Sequence, residues 1–242
     1  MQHINILGTF IFMIIGYLIG SFSLSIIVSK KKFKRDVREY HSHNAGATNS
    51  TRVLGKKWGI IILFADGFKP MIAVLVAWGL TFIHIANAKW TPLFNDAFVY
   101  YAGFGSIIGH CWPLYFGFRG GKGAASSLGL LLIINPIYFV VAVAAWWAIL
   151  YIWKMVSLSS VLMVGVAFAI SWIPYMPVNA YVWPHDIQYN MISWIILLTW
   201  IVVIMRHWSN LMRIFNKTER KVTMFDRKNK KIEQEKQNNK TK

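Results

Sequence analysis

The sequence is short of several things that a water-soluble fold of its length uses. It has a single cysteine, Cys111, so neither a disulfide framework nor a cysteine-based metal site can be built within one chain. It has only nine acidic residues against 26 lysines and arginines. Charge of either sign is absent from several runs of more than twenty residues, although the net charge is +17. Cationic and apolar residues are therefore segregated along the chain, and lipid is the simplest solvent for the uncharged runs. The first run, residues 4–29, is too long for a signal-peptide core, has no basic residue ahead of it and carries no convincing cleavage site, so it reads as a retained span.

What is present is a series of such runs. A hydrocarbon core of about 30 Å takes about 20 helical residues, and backbone in lipid must satisfy its own hydrogen bonds. Residues 4–29, 58–85, 97–118, 155–178 and 187–205 each fit one helix. The uncharged run 124–153 would be about 45 Å long as one helix, so Asn135-Pro136 near its middle is read as a turn between two. Seven spans result. With seven, residues 30–57 carry nine cations, Arg119 and Lys122 two, Lys154 one and the chain from Arg206 onward twelve, so 24 of the 26 share one side, against Lys89 alone on the other. The positive-inside rule then puts the N-terminus outside and the C-terminus in the cytoplasm of an all-α polytopic membrane protein. Trp58, Trp90, Trp153 and Trp183 near span ends suit interfacial belts, whereas Trp147 and Trp200 fall deeper. Residues 1–222 read as one membrane domain, and the Lys, Asn and Gln-rich residues 223–242 as a solvated, disordered tail.

Three polar clusters lie on the cationic face. The first, residues 36–49 followed by Arg52, offers Ser42, Asn44, Thr48, Asn49 and Arg52 as donors to phosphate oxygens, with Ala45, Gly46 and Ala47 small enough for close backbone approach. The same residue types also make an ordinary capped loop. In the second, Arg119, Gly120, Gly121, Lys122 and Gly123 precede a helix, where free amides, the positive helix end and two cations favour an anion. It is not a nucleotide P-loop, because Phe116 stands where the first glycine belongs and Gly123 follows the lysine. In the third, His207, Asn210 and Arg213 recur every three residues on one helix face, ahead of Glu219. Arg206 and Arg213 alone read as a basic helix end.

In order and spacing these clusters resemble, over nearly the whole chain, the three motifs of the bacterial acyl-phosphate-dependent glycerol-3-phosphate acyltransferases, the PlsY family. The family's D-I-R-x-x-G-S-G-N-x-G-A-T-N-x-x-R appears as Asp36-Val37-Arg38, Ser42, Asn44, Gly46-Ala47-Thr48-Asn49 and Arg52. Its G-H-x-x-P and F-K-G-G-K-G-V-A-T appear as Gly109-His110, Pro113 and residues 118–126. Its H-x-x-N-I-x-R appears as His207, Asn210 and Arg213, with the later Glu219. His41 and His43 replace the two glycines that flank the serine, adding bulk where the family has none; as a metal pair they lack a third ligand.

The resemblance implies transfer of a fatty acyl group from acyl phosphate to the 1-hydroxyl of sn-glycerol 3-phosphate, at the cytoplasmic face of the bacterial cell membrane, with no cofactor and no metal. It implies membrane lipid and the soluble enzyme that makes acyl phosphate as partners, and no nucleic acid. Ser42, His207 and Asn210 are the expected catalytic residues, and Glu219 a structural one. Asn44, Gly46, Thr48, Asn49, Arg52, Arg119, Gly120, Gly121, Lys122 and Gly123 are expected at the substrates. Acyl phosphate carries its own good leaving group, so no acyl-enzyme on Cys111 is required. His207 is either the general base or an orienting group while acyl phosphate takes the proton. Asp66 and Lys69, one turn apart, read as a pair that lowers the cost of intramembrane charge. Ser157, Ser159 and Ser160 either line the crevice or bond back to carbonyls. The main alternative, a transporter or channel for an anionic metabolite, would need polar pathway residues that the spans do not supply.

Overall fold

The computed structural model describes residues 5–86, 94, 97–173 and 189–222. The expected tail 223–242, with Lys89, Trp90, Trp183 and the far end of the sixth expected span, lies outside the described residues. Among those described, the helices are α1 (Ile6–Gly20), α2 (Leu24–Lys31), α3 (Ala47–Leu54), α4 (Lys56–Ala86), α5 (Tyr100–Cys111), α6 (Ala124–Ile134), α7 (Pro136–Trp153), α8 (Val156–Ile170) and α9 (Tyr189–Phe215), with 3-10 turns at Val37–Glu39 and Leu114–Phe116. Among the described residues, four stretches are long and apolar enough to cross a membrane: Ile6–Lys31, Lys56–Phe82, Pro136–Trp153 and Met191–Phe215. Phe64, Phe68, Ile72, Val140 and Tyr151 stand exposed along them, an arrangement suited to lipid rather than water.

Sequence chemistry sets the breaks. Asn135 is extended (φ −160°, ψ 121°), its side chain accepts the Ile137 amide at 2.8 Å, and Pro136 starts α7, dividing the long run as expected. The first expected span is interrupted between Gly20 and Leu24. The third is shorter than expected: α5 ends at Cys111, two residues before Pro113, because a residue preceding proline is driven out of the helical region.

Small residues set the approach of the central helices. Gly16 and Gly20 of α1 face the Ala102 and Ser106 backbone of α5, while Gly105 and Gly109 of α5 face Met13 and Tyr17. This reciprocal four-residue spacing lets two apolar helices touch backbone to backbone. In α4, Pro70 has no amide to give the Asp66 carbonyl, and Ser126 of α6 donates to that oxygen instead at 3.0 Å. Gly129, one turn further along α6, lies against the Gly67 carbonyl, where a methyl would overlap it. The core of Phe12, Tyr100, Leu130, Tyr138, Met163 and Ile195 joins six of these helices, and α9 packs on both α5 and α8. The start of α6 and the end of α9 are thereby brought to one end of the bundle, beside the loop that follows α2.

Candidate active site

The first cluster is a loop organised from within. The Asp36 carboxylate caps the Val37–Glu39 turn through the Arg38 amide (3.0 Å) and grips the Arg38 guanidinium at 2.8 and 3.0 Å, with Lys30 at 3.2 Å. The Arg38 bonds outweigh partial burial and hold the Asp36 carboxyl well below the usual carboxylate range. Asn49, on α3, is buried. Its amide nitrogen donates to the carbonyls of Val37, Tyr40 and Asn44, and its side-chain oxygen accepts the Ser42 amide at 3.3 Å. The donors of Asn49 that sequence offered to phosphate are thus consumed by the loop, and Asn49 fixes the path that displays Ser42. Asn44 likewise turns its oxygen onto the Gly46 amide at 3.1 Å. Ala45 is not open to a ligand; it is buried with Ile26 and Val37. Ser42, Thr48 and Arg52 are exposed. His41 (φ 51°) and His43 (φ 53°) both take the left-handed conformation that glycine adopts freely, so the chain keeps a glycine-type path here at a cost of roughly 1 kcal/mol each.

The second cluster is pinned through its backbone. Gly117 (φ 66°) and Phe118 (φ 57°) turn left-handed, and Gly123 (φ 85°) does so again before α6, whose first turn has no side-chain cap. The Gly121 amide donates to the His110 carbonyl at 2.9 Å, and a methyl on Gly121 would overlap the His110 ring. Contrary to the expectation of an unbroken run of free amides, that one is already spent. Beneath it, Asp66 of α4 pairs with Lys69 at 2.7 Å and approaches His110 at 3.4 Å, all three buried, the pairing that sequence anticipated. The Arg119 side chain is exposed, whereas Gly120, Gly121 and Gly123 are buried and Lys122 half-buried.

The third cluster meets the second. His207 is buried, and its Nδ1 lies 2.9 Å from the Val203 carbonyl, which can only accept, so Nδ1 carries the proton and Nε2 is the nitrogen left for chemistry. Lys122 Nζ donates to the Asn210 side-chain oxygen. The Asn210 amide donates to Glu219 Oε1 at 2.7 Å, which also accepts Ser157 Oγ at 2.5 Å, while Oε2 accepts Arg213 Nε at 2.8 Å. Glu219 reaches this position because α9 ends at Phe215 and Lys217 turns left-handed (φ 58°), folding the chain back onto the Arg213 carbonyl. Partial burial raises the Glu219 carboxyl, but three donors more than offset it and the net shift is downward. Burial pushes Lys122 down to about 8, helped by Arg213 and opposed by Glu219. Arg52 lies within electrostatic reach of Arg220 and Glu219, so the end of α3 stands near the same place.

Lys122, Asn210 and Glu219 are therefore in one hydrogen-bonded chain. Among the described residues, Ser42 and Asn44 hydrogen-bond within the first loop and not to that chain, and Thr48 stands in the first turn of α3 beside them. Ser159 and Ser160 bond back to the carbonyls of Met155 and Val156, unlike Ser157. Sequence reasoning missed Arg206: its guanidinium donates to the Gly121 carbonyl at 3.0 Å and the Gly120 carbonyl at 3.4 Å and lies 5.3 Å from the Trp112 ring. It also missed the reach of Arg38 Nη1 to the carbonyls of Phe116 (2.7 Å) and Arg119 (3.1 Å). Arg206 had no signal separating it from the many cations nearby, whereas Arg38 stood in the Asp36-Val37-Arg38 motif without a role read for it.

Residues 10–217 match the family model described as glycerol-3-phosphate acyltransferase. The chain belongs to that family. Curated glycerol-3-phosphate acyltransferases include one from Ureaplasma urealyticum, 39% identical with 88% of this chain and 90% of the relative covered, and one from Mycoplasmopsis synoviae, 40% identical with 86% and 92% covered. Among solved structures, PlsY (YgiH), an integral membrane glycerol 3-phosphate acyltransferase, superposes in its glycerol 3-phosphate form with a TM-score of 0.70 at 30% identity, covering 88% of this chain and 95% of that one. Its lysophosphatidic acid form gives 0.67 at 29% identity, covering 88% and 94%. With four apolar stretches long enough to cross a membrane among the described residues, this glycerol-3-phosphate acyltransferase family member is an integral membrane protein.

Proposed function

We propose that the chain moves a fatty acyl group from acyl phosphate to the 1-hydroxyl of sn-glycerol 3-phosphate, releasing lysophosphatidate and phosphate, as the first acylation of phospholipid synthesis. The observation that carries this reading is the chain of contacts from Lys122 through Asn210 to Glu219, which joins a glycine loop built for an anion to the His207 helix. Both substrates bring phosphate to a membrane surface, and the cations of this end of the bundle meet that need. Lys122 and the uncapped start of α6, with Gly123 giving room, hold one phosphate; Arg52 and Ser42, displayed by Asn44, Gly46, Thr48 and Asn49, hold the other, with Arg119 at the rim.

The hydroxyl oxygen bonds to the acyl carbonyl carbon, the carbonyl carbon–oxygen bond to phosphate breaks, and the hydroxyl proton leaves with the released phosphate, directly or through Nε2 of His207. Asn210, fixed by Lys122 and Glu219, orients the reacting groups. Glu219 is structural, tying α8, α9 and the chain beyond Phe215 together. Positioning and charge neutralisation suffice, since the leaving group is already activated.

The same reading gives seven spans, with α5, α6 and α8 completing the four longer ones, the N-terminus outside and the site on the cytoplasmic face of the bacterial cell membrane. One-sided cationic loops support it. Residues 1–222 form the enzyme, and the soluble enzyme that makes acyl phosphate delivers the donor at that face. Purified protein in lipid, given glycerol 3-phosphate with either acyl phosphate or acyl-CoA, tests the reaction: lysophosphatidate from acyl phosphate is expected, and none from either donor would overturn it.

A further inference from the structure

The turn that carries Lys122 is held through its amides at Phe116, Phe118 and Gly121, and otherwise through its carbonyl oxygens. Of the six residues 116–121, four have their carbonyls bonded to a guanidinium: Phe116 and Arg119 to Arg38, Gly120 and Gly121 to Arg206. The two arginines reach it from different elements. Arg38 comes from the first loop, where Asp36 holds its Nε and Nη2 and leaves Nη1 for the turn. Arg206 comes from α9, one residue before His207, and lies over Trp112. Neither belongs to the groups assigned above to substrate.

The chemistry of this arrangement is directional. A peptide unit points its N–H and C=O to opposite sides, so a short turn that presents amides to an anion must present carbonyls to something else. Left in water, those carbonyls are free to rotate inward, where they would face the phosphate and repel it. Arg206 holds two carbonyls with two nitrogens of one plane, and Arg38 reaches two with Nη1 while its Nε and Nη2 stay on Asp36, a division of donors that the single nitrogen of an ammonium cannot reproduce. Left-handed Gly117, Phe118 and Gly123 make the turn possible, yet they also make it soft, since a glycine-rich segment has many alternative conformations. The glycine loop by itself is therefore not preorganised.

We infer that Arg38 and Arg206 are positioning residues, acting from two separate elements as a clamp that holds the loop carbonyls and so aims Lys122 and the start of α6 at a substrate phosphate. The inference rests on the phosphate-binding reading of that loop. It explains why a helix end that looked like one more basic anchor carries an arginine directly beside the candidate catalytic histidine. It also links the first loop to the second cluster without any contact between their substrate-facing residues.

The test compares Arg206→Lys and Arg38→Lys with the unaltered protein and with Lys122→Ala, in acyl transfer, in inhibition by inorganic phosphate and in thermal unfolding in detergent. Lysine keeps the charge and loses the fork. Each lysine variant is expected to raise the KM of one substrate and the inhibition constant of inorganic phosphate about tenfold, leaving the KM of the other substrate and the unfolding midpoint close to those of the parent. Arg206→Gln, which restores planar donors without charge, is expected to recover part of the lost phosphate affinity relative to Arg206→Ala. Lysine variants with unchanged KM values and unchanged phosphate inhibition would overturn the clamp, as would a lowered unfolding midpoint with unchanged KM values, because that marks a merely structural role. An inactive parent protein would instead contradict the acyltransferase reading, and Lys122→Ala with normal phosphate inhibition would contradict the loop as phosphate site. The failures are thus distinguishable.

Discussion

Lys122 sits where burial and function pull against each other. Desolvation brings it down to about 8, so the free enzyme carries this cation below that pH and loses it as pH rises through it. Since kcat/KM reports the free enzyme, it is expected to fall above about pH 8 for the substrate whose phosphate Lys122 holds; in Lys122→Arg, which stays charged, that alkaline decline should be absent even at a lower rate. A pH profile of both proteins checks this. His207→Ala removes Nε2 and is expected to reduce kcat about a hundredfold, the low end for a general base. Near-parental turnover in purified transfer would remove His207 from the proton path. At this scale the sequence was a good guide to which residues gather and a poor one to how each is spent. Asn49 and Gly121 look like phosphate donors in a string of letters, but Val37, Tyr40, Asn44 and His110 already take their hydrogen bonds. Hydrogen-bond capacity is visible in composition; its allocation depends on the folded path.

At the level of elements, the turn at Asn135-Pro136 was legible because proline and an Asn cap act locally. The early end of α5 before Pro113 follows from the same rule, although apolar composition alone extends the run to residue 118. What no local rule supplied is the junction of α4 and α6. Pro70 lies inside α4, and the consequence of its missing amide appears only when Ser126 arrives from a different helix to bond the Asp66 carbonyl. This junction sets where α6 begins, and therefore where Lys122 stands. Gly129→Leu, which would drive a side chain into the Gly67 carbonyl, is expected to destabilise the protein by about 3 kcal/mol, the upper range for overpacking, and to lower activity beyond the loss of folded protein. Thermal unfolding with specific activity normalised to folded fraction measures both. An unchanged midpoint would mean that α4 and α6 are not packed this closely.

For the whole molecule, the proposed seven spans would put 24 of the 26 cations on one side, which is what the positive-inside rule favours. Cys111 is buried, so the chain is suited to topology mapping by single introduced cysteines. Lys34→Cys and Thr218→Cys should react with a membrane-impermeant maleimide only from the cytoplasmic side, and Lys89→Cys only from the outer side; labelling of Lys34→Cys and Thr218→Cys from opposite sides would contradict the arrangement.

The central claim is chemical, and the stoichiometry of the reaction tests it most directly. Purified protein given acyl phosphate and glycerol 3-phosphate should form one lysophosphatidate and one inorganic phosphate per turnover, with oxygen-18 placed in the carbon–oxygen–phosphorus bridge recovered in the phosphate, and Lys122→Ala should lower the rate at least a hundredfold. Bridge label recovered in the ester, or lysophosphatidate formed only from acyl-CoA, would contradict it.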